Sequence, residues 1–282
     1  MTDDARIPWY PTPGAPVAVT QTRHGVMAYN PLDSFIGRSI ERYGEFGEIE
    51  LDVMRAVTPV GGFVFDVGAN IGTHSVALAR HVGPSGRVFA FEPQRIVHGL
   101  LVTNATLNAL TWIHTAHALV GAEPGHQLVA DYDYTKEANY GAISLAQQAE
   151  RGWPVAVRTL DEYCWVPRCD LVKIDVEGME AQVLDGGRTF LAKFRPMLFV
   201  ENDRESTSRG VLTRLLELDY RVYWHSARMY NPANWRGERE NVFDVLGAVN
   251  LLCIPRERAQ NIVGMHEATD PDQPPPYPLA PY

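Results

Sequence analysis

Apolar positions along the chain change their spacing several times, and each change predicts an element. Phe35, Ile36, Ile40 and Tyr43 recur at helical intervals, as do Ile49, Val53, Met54 and Val57, with Gly44 and Gly47 between the two sets, so two helices are predicted there. After Gly61-Gly62 comes a short apolar run, Phe63-Val64-Phe65. It ends in Asp66-Val67-Gly68-Ala69-Asn70-Ile71-Gly72 and passes into a helical stretch through Ala79, which reads as strand, glycine turn and helix.

The same alternation repeats. Val88-Phe89-Ala90-Phe91 leads to Glu92-Pro93 and a helix over 96–108, and 113–119 reads as a third strand. Leu171-Val172-Lys173-Ile174 runs to Asp175, and Met197-Leu198-Phe199-Val200 to Glu201. Helices are expected over 181–191 and 208–218, and closing strands over 220–225 and 249–254. Strands alternating with helices predict an α/β fold with a mostly parallel sheet covered on both faces. Ligands of such sheets gather beyond the carboxyl ends of the strands, so the residues just after each strand are the informative ones.

Outside this alternation lie an extended, Pro-rich arm over 1–28 and a Pro-rich tail over 257–282. A helical cap is expected over 29–60 and a main domain over 61–256. Its polar and aromatic segment 131–152 is longer than an ordinary connection and reads as an insertion.

Composition narrows the function. The 282 residues are 45% hydrophobic and carry 34 acidic against 25 basic side chains, a formal charge of −9. That balance opposes nonspecific attraction to phosphate backbones, so no nucleic-acid partner is expected. No apolar run approaches the length of a membrane span. The N-terminus lacks a basic stretch followed by an apolar core, and the three cysteines form no C-x-x-C pair, which together suggest a cytoplasmic protein.

The glycine turn carries the first candidate chemistry. A dinucleotide site prefers Gly-x-Gly-x-x-Gly, but here Ala69 and Asn70 stand between Gly68 and Gly72. An acidic residue opening such a turn suits a donor with an ammonium group and no phosphate, namely S-adenosylmethionine, which Asp66 would meet directly or through water. Glu92, at the end of the second strand, can accept both ribose hydroxyls. Asp66, Gly68, Asn70, Gly72, Glu92 and Asp175 are therefore candidate cofactor residues.

Several of these motifs carry a resemblance. Phe65-Asp66-Val67-Gly68-Ala69-Asn70-Ile71-Gly72-Thr73-His74-Ser75, Ala90-Phe91-Glu92-Pro93, Leu171 through Glu180 with Val183-Leu184, and Arg195-Pro196 with Glu201 resemble the FkbM family of S-adenosylmethionine-dependent methyltransferases. The similarity runs over 61–201 and extends to Asn250-Leu251-Leu252-Cys253-Ile254-Pro255. It implies a class I methyltransferase (Rossmann-like) fold with a seven-stranded sheet. It also implies O-methylation of a sugar, glycan or natural-product hydroxyl, with the acceptor chosen by the arm, the insertion and the tail.

Catalytic candidates follow from the strand ends. Lys173, Asp175 and Glu177 share one face if the strand stays extended, and a buried Lys173 demands a partner among Asp175, Glu177 or Glu201. Asp175, beside the proposed donor, is the leading catalytic candidate, with Lys173, Glu177 and Glu201 around it. No metal is required, although Asp175, Glu201 and Asn202 offer oxygen ligands that a divalent ion could use. Tyr223-Trp224-His225, Tyr230-Asn231, Asn234-Trp235 and Asn241 mix rings and amides suited to a sugar, and His225 is a further candidate base. A noncatalytic binding module, or a methyltransferase acting on nitrogen or RNA, is the alternative. An amino methyltransferase would carry Asn or Asp-Pro-Pro-Tyr where this chain has Asp175-Val176-Glu177-Gly178.

Overall fold

A computed structural model describes residues 8–11, 15–141, 149–258, 262–272 and 276. In chain order it places a hairpin, β1 (Ala18–Thr22) and β2 (Gly25–Tyr29), then helices α1 (Ile36–Tyr43) and α2 (Glu48–Val57). The alternating units follow: β3 (Phe63–Val67), α3 (Thr73–Val82), β4 (Arg87–Phe91), α4 (Arg95–Leu107) and β5 (Ile113–Ala116). A small sheet is built from β6 (Ala118–Val120), β7 (Gly125–Val129) and β8 (Trp153–Arg158). Then come β9 (Leu171–Ile174), α5 (Glu180–Asp185), α6 (Arg188–Phe194), β10 (Met197–Glu201), α7 (Glu205–Glu217), β11 (Tyr220–Arg228), β12 (Gly247–Pro255) and β13 (His266–Ala268).

The main sheet runs β13-β11-β12-β10-β9-β3-β4-β5. β12 lies antiparallel to both β10 and β11, and β13 antiparallel to β11, while β10, β9, β3, β4 and β5 pair in parallel. The expected mostly parallel sheet is present, with an eighth strand, β13, on its edge where the sequence reads as tail.

Period-two alternation sorts the strands into two layers. Val64, Val88, Leu171 and Phe199 pack against α1 to α4, whereas Phe65, Phe89, Val172 and Leu198 pack against α5, α6 and α7. Glu92, Asp66, Lys173 and Glu201 share the parity of the first set, so every strand-end charge of interest points to the side of α2 and α3.

Three local expectations are corrected. The run 113–119 is not one strand: it breaks at His117, and its second half pairs with β8 in the small sheet, a corner that no glycine or proline marks in the sequence. The first 20 residues do not stay a plain arm. β1 forms a hairpin with β2, and the side chains of Asn104 and Asn108 complete the free edge of β2 by bonding the backbone of Ala28 and Val26. The single helix expected over 181–191 is two, split at Gly186-Gly187, where Gly186 lies so close to the Gly121 carbonyl that a Cβ would approach it to 2.0 Å. Residues 259–261, 273–275 and 277–282 of the tail, 142–148 of the insertion, and 1–7 and 12–14 of the arm lie outside the described residues. Among the described residues no helix is long and apolar enough to cross a membrane.

Candidate active site

One cleft of about 260 Å³ opens beyond the carboxyl ends of β3, β4, β9 and β10. Its floor begins at the turn after β3. Gly68 adopts φ +80°, and a Cβ there would stand 1.7 Å from the Asp175 carbonyl oxygen, so only glycine lets the β3 and β9 tips approach this closely. Asn70 is also left-handed, at φ +51°, stabilised by its own Oδ1 accepting from Ile71 N–H at 2.7 Å. Gly72 has a packing role: it does not line the cleft, and a Cβ would meet Leu101 of α4 at 2.6 Å.

Glu92 is buried and lines the cleft from the tip of β4. Its Oε2 accepts from Asn70 N–H at 3.0 Å and its Oε1 from Gln94 N–H at 2.7 Å. Burial raises its carboxyl to about 7 despite these bonds. Each oxygen keeps a lone pair for a further donor. Gln94 in turn holds the insertion, accepting from Tyr134 Oη and donating to the Tyr140 carbonyl, and Asn139 and Gly141 complete this end of the cleft with Phe91, Leu119 and Val120.

Asp66 is the residue expected to meet the donor's ammonium group directly or through water. It is fully buried beneath the cleft and does not line it. Its Oδ2 accepts from Ser75 Oγ at 2.5 Å, and its Oδ1 lies 3.2 Å from Lys173 Nζ, its lateral neighbour in the sheet. Lys173 reaches Asp175 Oδ2 at 3.2 Å and donates to the Gly68 carbonyl at 3.1 Å. Burial opposes its charge, but Asp175 and Asp66 outweigh burial and raise its pKa. The ammonium therefore ties the tips of β3 and β9 together, and its carboxylate partners are Asp66 and Asp175, not Glu177 or Glu201.

Beyond Asp175 the chain turns instead of staying extended. Glu177 sits at φ +56° and pairs with Arg204. Asp175, Glu177 and Glu201 still converge, each offering an oxygen within 4.8 Å of the others, a donor set a hard divalent cation accepts. Burial and then Asp175 push Glu177 up to about 8, and burial with the neighbouring carboxylates pushes Glu201 well above the carboxylate range. Glu201 Oε2 is enclosed and has no hydrogen-bond partner among the described residues.

Two expectations fail on position. Asn202 does not line the cleft; it is buried and its Nδ2 donates to Ser208 Oγ at 2.8 Å in the first turns of α7. His225 is buried against Phe199 and does not line the cleft, and burial lowers its pKa. Nor do the ring and amide residues around it form a sugar platform. Tyr223 and Trp224 are core, Asn231 Nδ2 and Trp235 N–H bond Glu45, and Asn241 bonds the Asp244 carbonyl. The Asn231 and Trp235 bonds fasten the excursion between β11 and β12 onto the connection between α1 and α2. The cleft wall on this side comes from residues that the sequence does not single out as site candidates: Phe46, Gly47 and Glu50 at the start of α2, His74 on α3, and Arg228, Met229 and Leu246 where β11 and β12 meet the cleft.

Seven strands in the order β11-β12-β10-β9-β3-β4-β5, of which β12 alone is reversed, with a cleft over a glycine turn and the next strand's carboxylate, are the class I methyltransferase layout. The chain belongs to the methyltransferase FkbM domain family, whose model matches residues 66–222. It is similar to the methyltransferase sdnD of Sordaria araneosa, 27% identical over 163 residues, which are 45% of this chain and 61% of that one. The chain thus spans less than two thirds of the curated relative it matches. Among solved structures it is similar to the FkbM methyltransferase of Methylobacillus flagellatus (18% identity, 72% of this chain and 50% of that one, TM-score 0.46). It is also similar to an S-adenosylmethionine-dependent O-methyltransferase of Thermotoga maritima (16%, 86% and 79%, 0.46).

Proposed function

We propose that the chain binds S-adenosylmethionine in this cleft and transfers a methyl group to a hydroxyl of a sugar, glycan or natural product. The observation that carries the reading is Glu92, a carboxylate buried at a strand tip, lining the cleft with one backbone N–H on each oxygen and a free lone pair on each. Two ribose hydroxyls match that geometry. The apolar Phe91, Leu119 and Val120 beside it suit a purine, and Gly68 leaves the space over β3 clear. When bound, the donor supplies an electrophilic sulfonium methyl.

The chain's own residues do the rest. Asp175, at the tip of β9 and partly exposed, accepts a hydrogen bond from the acceptor hydroxyl and takes its proton as the carbon–oxygen bond forms. Lys173 holds that carboxylate at 3.2 Å and fixes its direction. Arg204 secures Glu177 and with it the loop after β9. Burial and then Asp175 raise the pKa of Glu201, which favours its neutral form and limits charge repulsion there. Holding the hydroxyl in line with the methyl supplies much of the rate. A cleft with this many carboxylates favours a small or glycan-like acceptor over a phosphate backbone.

A methyl-label transfer screen against polysaccharide, lipid-glycan, small-metabolite and RNA fractions tests the reading. Label on a base-stable, hydroxyl-derived ether in the first three fractions is expected. Label confined to RNA would overturn it.

A further inference from the structure

Asp66, the acidic residue that opens the glycine turn, is spoken for: it lies under the cleft, bonded to Ser75 and facing Lys173. The amino-acid end of a donor extending from Glu92 across Gly68 therefore meets other carboxylates. Of those lining the cleft, Asp175 faces Lys173, and Glu177 and Asp203 both face Arg204. Glu201 stands at the tip of β10, on the far side of β9 from Gly68.

Glu50 is different. It projects from the first turn of α2 into the cleft beside Gly47, Thr73 and His74. Its Oε1 is fixed by Asn250 Nδ2 at 2.7 Å, a bond from β12. Its Oε2 faces His74 Nε2 at 3.4 Å, beyond ordinary hydrogen-bond length, so that oxygen retains acceptor capacity. Among the described residues no lysine or arginine pairs with it. The chain closes over this pair only because Gly47, at φ +67°, has no side chain: a Cβ would stand 2.3 Å from His74 Nε2 and 2.9 Å from Glu50 Oε2. A nearly buried carboxylate held at one oxygen, with the other free at a cleft, is arranged for a cationic partner.

We infer that Glu50 receives the ammonium group of the donor's amino-acid end. Glu50 lies outside the stretch that the family model matches, 66–222, so α2 completes the donor site from the N-terminal side. The inference rests on the donor reading above and is tested without turnover.

Binding of two ligands is measured calorimetrically at pH 8.5, where Glu92 is ionised: S-adenosylhomocysteine, which carries the ammonium, and methylthioadenosine, which has the same nucleoside and lacks the amino-acid end. Glu50→Gln keeps an oxygen for Asn250 and removes the charge. It should weaken S-adenosylhomocysteine by about 10- to 100-fold, the range for a charged hydrogen bond, and leave methylthioadenosine within about twofold. Equal affinities in variant and wild type overturn the inference. So does an equal loss of both ligands, which would mean that Glu50 acts through the fold. If wild-type protein binds neither ligand, the donor reading itself fails, and that result is distinct from either of these.

Discussion

Lys173→Met probes the charge network under the cleft most sharply. The wild-type ammonium is 4% exposed and lies 3.2 Å from Asp66 Oδ1 and 3.2 Å from Asp175 Oδ2. Methionine fills similar space but leaves the fully buried Asp66 carboxylate with only the Ser75 hydroxyl. Removing one partner of a buried pair costs about 3–5 kcal/mol. At roughly 2 °C per kcal/mol for a chain of this size, the melting temperature should fall by about 6–10 °C.

The pH dependence has a definite sign. The folded-state pKa of Lys173 is raised, so its contribution is complete below the unfolded lysine value of about 10.4 and is lost as pH rises through the folded value. The wild type should therefore show no lysine-linked change between pH 6 and about 9. Combining Asp66→Asn with Lys173→Met removes both charges and should recover most of the loss. Thermal denaturation of the three proteins across pH checks this. A single variant melting within about 2 °C of wild type, or a double variant no more stable than the single, would refute the reasoning.

Asp175→Asn should lower turnover on the order of 100-fold with little change in donor affinity, measured by kinetics and calorimetry on one preparation. Donor affinity of the wild type should fall as pH drops through about 7, because Glu92 must lose its proton to accept ribose hydroxyls; Glu92→Gln should flatten that profile. Gly68→Ala should abolish donor binding, since its Cβ would lie 1.7 Å from the Asp175 carbonyl and the residue sits at φ +80°. A chelator should leave turnover within about twofold, the cluster of Asp175, Glu177 and Glu201 working without a divalent ion.

The strand-end residues were legible because their signal is local. Phe63 to Gly72 reads as strand and glycine turn wherever it lies, and Glu92, Asp175 and Glu201 each terminate an apolar run that the structure makes a sheet strand. Which side chains meet was not local. Lys173 faces Asp66 because β9 lies beside β3, an adjacency that hydrophobic periodicity cannot carry. His225 misled for the same reason: following a strand, it resembled a tip residue, but β11 continues to Arg228 and encloses it. Glu50 had a faint mark. It stands four residues before Met54 on the buried stripe of α2, and a carboxylate on an apolar helical face calls for a partner or a function. The small sheet of β6, β7 and β8 went unread because 113–119 is uniformly extended and its corner at His117 bears no glycine or proline.

The central claim is that the donor lies over the glycine turn with its ribose on Glu92. Calorimetric titration of S-adenosylhomocysteine into wild-type protein and Glu92→Ala at pH 8.5 tests it most directly. Saturable one-site binding to the wild type, weakened by about 10- to 100-fold in a variant that melts as a cooperative folded protein, is the predicted result. No binding to the wild type, or equal affinity in the two proteins, would contradict it.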